Sequence, residues 1–408
     1  MRWFIFLLSL LPVVCGPTHL YADEKTTRDL YGPVLSTHMA ADGRKLGTQK
    51  QLRSDRLGNY VFRGRLISLD SDNSSNICYD TDHMRVASAW SGGYIDWKGV
   101  YKNQGPAIAG TIHFQTPVGP GWSHDGLWDD PRKPKEGPLP SNWAKYRGMY
   151  LHGRKVVLSY TVDDCRVLEM PASKTQGQMT VFLRNFAVGP SCEPLGLLVA
   201  EELGAKGGIA KGGDFAFRHK KELAEDTIAG LEVKGGHIVA RVVGAPKQTR
   251  WEVENGRLLL FIPASQQSNS FQVVISRISK GQEKEFAEFA TGEVEDLHKY
   301  TKGGPARWPE TLTSKGRLGR PRGAYVTDEL MPPTDNPWGA KFRFGAMDFF
   351  DDGRAALSTW DGDVWIVSGI DKGLSCLKWR RYAAGLQQPL GLKIVNGVIY
   401  TAGRDQIT

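Results

Sequence analysis

Several chemical signatures are missing from this 408-residue chain, and each absence removes a class of activity. No G-x-S-x-G occurs, so a serine nucleophile elbow is excluded. No G-x-x-x-x-G-K-[ST] occurs, so the glycine-rich run Leu203 to Phe215 is no phosphate cradle; it reads as a mobile loop. Without a C-x-x-C-H the chain carries no covalently attached c-type haem. The run beginning at Asp70 fails the calcium-loop pattern, because Ser75 stands at the glycine position and Thr81 at the glutamate position. Beyond residue 14 no segment has about 18 uninterrupted apolar residues, which predicts no membrane span. All nine histidines lie at or before His298, and cysteine is scarce, at five.

What is present at the N-terminus predicts export. Arg2 precedes an apolar run from Trp3 to Val14, too short to cross a bilayer and followed by a polar stretch in which Ala22 fits the last position before a signal-peptidase cut. Residues 1–22 therefore read as a signal peptide, and the location as extracytoplasmic, periplasmic or secreted. Cys15 raises a lipid-anchored alternative, but Val14 stands where a small residue is expected before it. Four cysteines follow (Cys78, Cys165, Cys192, Cys376), an even number that permits two disulfides and is equally met by four buried thiols. The net charge of +8 is spread along the chain, which predicts solubility and no nucleic-acid surface.

The expected fold is mainly β. With Gly 47, Pro 22 and short Val/Ile/Phe/Tyr-rich runs between turn residues, 23–298 reads as a β-rich, sandwich-like N-terminal domain. Phe286, Phe289, Ala290, Val294 and Leu297 recur at helical spacing and predict an amphipathic helix over 280–300, weakened by Gly292. Residues 299–340 read as a basic, Pro/Gly-rich connector: from Lys299 to Gly323 seven Lys/Arg face a single Glu. In 341–408 the turns Asp352-Gly353 and Asn396-Gly397 lie 44 residues apart, as do Asp361 and Asp405. A period of that size with two hairpin turns is that of a four-stranded propeller blade. About one and a half units are present, so the propeller is expected to be incomplete and the chain an N-terminal fragment.

Two patterns point to chemistry. Five of the twelve tryptophans, Trp90, Trp97, Trp122, Trp128 and Trp143, fall close together, and flat aromatic faces beside polar groups are what sugar rings stack on. Packing in a β-domain accounts for the same residues. Asp80, Asp82 and His83, and again His124, Asp125, Asp129 and Asp130, gather groups that could hold a divalent ion or do acid/base work, while turn formation by Asx side chains is the plainer account. A carboxylate-pair glycosidase stays open, since such acids are neighbours only in space. Turn duty is the default for Asp361, Asp363 and Asp405, and a salt bridge for Arg404.

The strings WDGDVW, GLQQPLGL and GRDQIT, with YDTDHMRVASAWSGGY and GWSHDGLWDDPR upstream, resemble large multi-domain secreted proteins of planctomycetes and related bacteria. In these a domain of unknown function precedes a propeller similar to glucose and sorbosone dehydrogenases, often followed by cytochrome c modules. The resemblance implies a sugar or polyol oxidoreductase using quinone and calcium, its base beyond residue 408 and a cytochrome c as electron acceptor. The alternative is a non-catalytic carbohydrate-binding or interaction protein with the propeller as scaffold. No catalytic residue, metal ligand or cofactor is assigned within this chain, and carbohydrate is the expected partner.

Overall fold

The computed structural model describes residues 31–43, 58–72, 74–96, 106–133, 137–211, 214–321 and 323–408. The expected signal peptide, Cys15 and Trp97 lie outside them. The described chain is mainly β, in several sheets of which none closes into a barrel. It divides into two compact units, Ser36–Pro305 and a second comprising residues 31–35 with Ala306–Thr408.

The first sheet holds β1 (Val34–Ala40), β2 (Tyr60–Ser68), β3 (Ser75–Asp80) and β4 (Arg85–Ser91). The short pair β5 (Ile95–Asp96) and β6 (Ala107–Ile108) interrupts the chain before β7 (Thr111–Gln115), which joins that sheet in the order β1-β2-β3-β4-β7. Next come β8 (Ala144–His152), β9 (Lys155–Val162), β10 (Cys165–Gln176), β11 (Met179–Val188), β12 (Leu195–Glu201), β13 (Gly207–Lys211), β14 (Asp214–His219), β15 (Lys221–Leu223), β16 (Thr227–Val233), β17 (Gly236–Val243), β18 (Arg250–Glu254), β19 (Arg257–Ile262) and β20 (Asn269–Ser279). They form a nine-stranded sheet, β14-β13-β16-β17-β20-β11-β10-β9-β8, and a four-stranded one, β12-β19-β18-β15. All ten residues of β11 are buried, because it lies in the interior of the nine-stranded sheet with both faces covered; its sequence therefore does not alternate apolar with polar, and Thr180, Arg184 and Asn185 are buried along with its apolar residues. Aromatic contacts tie the layers together: Phe114 of β7 meets Phe182 of β11 edge-on at 5.8 Å, and Trp122 meets Phe186 at 5.9 Å.

Two local expectations are corrected here. The region 280–300 contains only a five-residue helix, α1 (Glu283–Ala287), and a 3-10 turn at Leu297–Tyr300. Gly292 sits at φ +85°, which ends helical continuity. Phe286, Phe289 and Leu297 are still buried, so the apolar spacing marked burial rather than one long helix. The glycine-rich run from Leu203 is not a loop throughout, since Gly207–Lys211 forms β13 paired antiparallel to β16. A Cβ on Gly207 would come within 2.3 Å of the Gly230 carbonyl oxygen, so this glycine serves close strand approach.

In the second unit β21 (Leu312–Ser314) pairs with β25 (Leu377–Ala383), and β22 (Phe344–Phe349), β23 (Ala355–Thr359), β24 (Val364–Ser368) and β25 follow one another as a meander. A hairpin of β26 (Gly391–Val395) and β27 (Val398–Ala402) comes next, turning at Asn396-Gly397 where both residues have positive φ, as a tight two-residue turn requires. The basic stretch before this sheet supplies β21 and part of the unit's interior. Trp308, Trp338 and Ala340 pack with Leu357, Trp365 and Trp379 into one core.

The four described cysteines are free; Cys78 and Cys165 are buried, and Cys192 and Cys376 exposed. Among the described residues no helix is long and apolar enough to cross a membrane.

Candidate functional site

The Asp80–Arg85 hairpin between β3 and β4 concentrates buried charge. Asp80 closes β3 and pairs in register with Arg85, the first residue of β4, and Met84 takes φ +48° to complete the turn. The turn is held from inside: Asp80 Oδ1 accepts from the Asp82 backbone N–H at 3.0 Å, and the Thr81 hydroxyl donates to the Arg63 carbonyl at 2.9 Å. Asp80, Asp82, His83 and Arg85 are all nearly inaccessible. Arg85 donates through Nε to Asp80 Oδ2 at 3.0 Å and through Nη1 to Asn59 Oδ1 at 2.8 Å and the Thr116 carbonyl at 2.6 Å. His83 places Nδ1 3.1 Å from the same Asp80 oxygen.

The two aspartates are driven apart in acidity. Burial disfavours charge on Asp80, but His83 and Arg85 outweigh it and hold the carboxyl down at about 2. Asp82 lacks such compensation. Burial and the neighbouring Asp80 charge push it up to about 6, against the opposing pull of Arg63, 3.3 Å away, and of His83 and Arg132. Paired carboxyls with separated acidities are the pattern that acid/base sites use, and buried structural networks also produce it.

His83 lines a cleft together with Pro120, Trp128, Asp129, Asp130 and Arg257. Asp130 is buried and accepts two hydrogen bonds from Arg132 Nε, at 2.9 and 3.0 Å, and one from Nη2 at 2.6 Å; these outweigh burial and hold its carboxyl below the usual carboxylate pKa. Arg257 donates to Glu201 at 2.6 Å. Trp128 is half-buried with its ring edge-on to Phe261, and Asp129 is exposed.

The expected groupings are redistributed. Asp80, Asp82 and His83 do stand together. The second cluster divides: His124 turns to Asp163, with Nδ1 2.6 Å from Oδ1, and stacks on Trp143, while Asp129 and Asp130 face the cleft. Among the described residues no three His, Cys, Asp or Glu side chains are arranged to hold a metal ion. Trp90, Trp122 and Trp143 are sealed in the interior, the Trp90 indole donating to the Tyr94 carbonyl at 2.8 Å and that of Trp143 to the Trp122 carbonyl at 2.9 Å. Three of the five tryptophans therefore present no free face to a sugar ring, and of the four described only Trp128 opens on the cleft. Arg63, which meets Asp82, and Leu198 and Arg257, which line the cleft, were not legible as site residues, since each arrives from a distant strand and no local motif marks it.

In the second unit Asp363 and Arg381 form a buried pair at 2.6 Å, with the guanidinium 4.6 Å from the Trp308 ring. Asp361 accepts from Arg343 Nε at 2.8 Å. Both acids therefore spend their carboxylates on arginines, and Arg404 is exposed.

The fold and the buried hairpin thus define a multi-sheet β protein with a polar cleft. A domain of unknown function, DUF6797, matches residues 77–169, a span that contains Asp80 to Arg85, Trp128, Asp130 and Glu169. No curated protein matches the chain.

Proposed function

We propose that the unit Ser36–Pro305 is a recognition module that binds a hydroxylated, carbohydrate-type ligand in the cleft at Trp128. The observation that carries this reading is the meeting of one half-exposed indole with polar side chains in a single concavity, the usual makeup of a sugar subsite. In calorimetry against neutral and sulfated polysaccharides, Trp128→Ala is expected to weaken binding by about 1 kcal/mol or more as the stacking face is lost. Binding untouched by the substitution would return Trp128 to packing alone.

A second reading extends to the whole protein: an exported sugar or polyol oxidoreductase in which 341–408 opens a dehydrogenase-like propeller. Its support is the meander β22 to β25 followed by the β26–β27 hairpin, with glycine turns repeating at 44 residues. The residues of this unit do not fit quinone and calcium by themselves, having no histidine and, among those described, no three-ligand cluster. Dye-linked sugar oxidation by the 408-residue chain is accordingly expected to be absent even with both added, and turnover would place the active site inside this chain. A cytochrome c acceptor belongs to the same reading.

A further inference from the structure

Of the arginines at the cleft, one is spent and one is not. Arg132 uses every guanidinium nitrogen, Nε and Nη2 on Asp130, Nη2 again on the Gly137 carbonyl and Nη1 on that of Pro138. Arg257, on the cleft wall at the start of β19, donates to Glu201 through Nε alone, at 2.6 Å, and its Nη1 and Nη2 have no partner among the described residues. Glu201 stands opposite it in the β12–β19 register, so the guanidinium is fixed in place while its outer edge keeps two N–H donors, the fork that binds a carboxylate or sulfate. His83 adds a second positive group. It meets Asp80 through Nδ1 and acts on that carboxyl as a cation, which puts a proton on Nε2 as well. That N–H is buried without an acceptor among the described residues, an arrangement that costs stability until an acceptor arrives. Against these stand two carboxylates on the wall. Asp130 is committed to Arg132, and Asp129 is exposed, where solvent and salt screen it.

We propose that the ligand is an acidic sugar, its carboxylate or sulfate held by Arg257 Nη1 and Nη2, its ring against Trp128 and one of its oxygens accepting from His83 Nε2. This rests on the carbohydrate reading above and narrows it, since a neutral sugar leaves the Arg257 fork without an anion and an amino sugar meets two cations.

The test is calorimetry on the full chain with glucuronate, glucose 6-sulfate, glucose and glucosamine at one ionic strength. At least one of the two anionic sugars is expected to bind about tenfold tighter than glucose, as one charge-assisted fork allows, and which of them does so tells carboxylate from sulfate; glucosamine should bind weakest. Raising the salt should weaken the anionic sugar and leave glucose in place, a readout on the parent protein that needs no variant. Arg257→Gln should bring the anionic sugar to the level of glucose, and His83→Gln should narrow the same preference. Anionic sugars no tighter than glucose, glucosamine tightest, a preference indifferent to salt, or one kept in full by either variant would each overturn the proposal while leaving carbohydrate binding standing. If none of the four sugars binds, the carbohydrate reading fails and this inference with it.

Discussion

Glu169→Ala is expected to destabilise the unit Ser36–Pro305 by about 3–5 kcal/mol, the range for breaking a buried ion pair by removing one partner. Glu169 and Arg184 lie opposite the solvent on β10 and β11, essentially inaccessible, with Arg184 Nε donating to Glu169 Oε1 at 2.6 Å. The second carboxylate oxygen accepts from the Tyr160 hydroxyl at 2.7 Å. Burial disfavours the Arg184 cation, and Glu169 more than offsets it, raising its pKa. Arg184 Nη1 and Nη2 have no hydrogen-bond partner among the described residues, although the guanidinium lies 5.1 Å from the Phe186 ring. Alanine would leave that charge with a single ring contact and the Tyr160 hydroxyl without its acceptor. Urea denaturation measures the loss, and the double variant Glu169→Leu with Arg184→Met should recover most of it because the uncompensated charge is gone. A single variant within about 1 kcal/mol of the parent would show that water already screens the pair.

Asp82→Asn should do the opposite and stabilise the same unit at neutral pH. Asp82 rises from its usual 3.8 to about 6, so the folded state holds the proton more firmly than the unfolded state does. Stability from this group is complete below pH ~4, falls as pH rises toward ~6, and above that the whole cost is present, up to about 3 kcal/mol at about 1.4 kcal/mol per pKa unit. Asp80 has the reverse sign: held at about 2, it contributes stability above pH ~4 that is lost as pH falls toward ~2. The groups facing Asp82 are Asp80 and His83 on its own hairpin, Arg63 from β2, and Arg132. Denaturation at several pH values between about 4 and 7 should show the variant gaining on the parent by about 1–3 kcal/mol across that span. A difference independent of pH would mean that Asp82 stays ionised in the fold.

The hairpin turns illustrate how far local sequence reached. Asn396-Gly397 and Asp352-Gly353 turn where their dipeptides place them, because Gly and Asn accept positive φ at little steric cost, as Asn396, Gly397 and Gly353 do here. The 280–300 segment shows the limit. Its apolar spacing correctly marked Phe286, Phe289 and Leu297 for burial, yet five residues of helix were all that survived packing against the nine-stranded sheet and the break at Gly292. The tryptophans show it again, since a Trp facing water and a Trp facing a core read alike. Only the stacking of sheets separates Trp128 from Trp90, Trp122 and Trp143.

By itself the sequence determined the mainly β character, the turn positions and the grouping of Asp80, Asp82 and His83, all of which follow from interactions within a few residues. Tertiary structure alone decided that His124 leaves Asp129 and Asp130 for Asp163, that Glu169 meets Arg184 across a buried strand pair, that Arg63 reaches Asp82, and that Arg257 joins the cleft wall. The reason is that charge pairing and desolvation act through space over a few ångströms, and which distant strands come that close is settled by sheet order, which a local pattern does not encode.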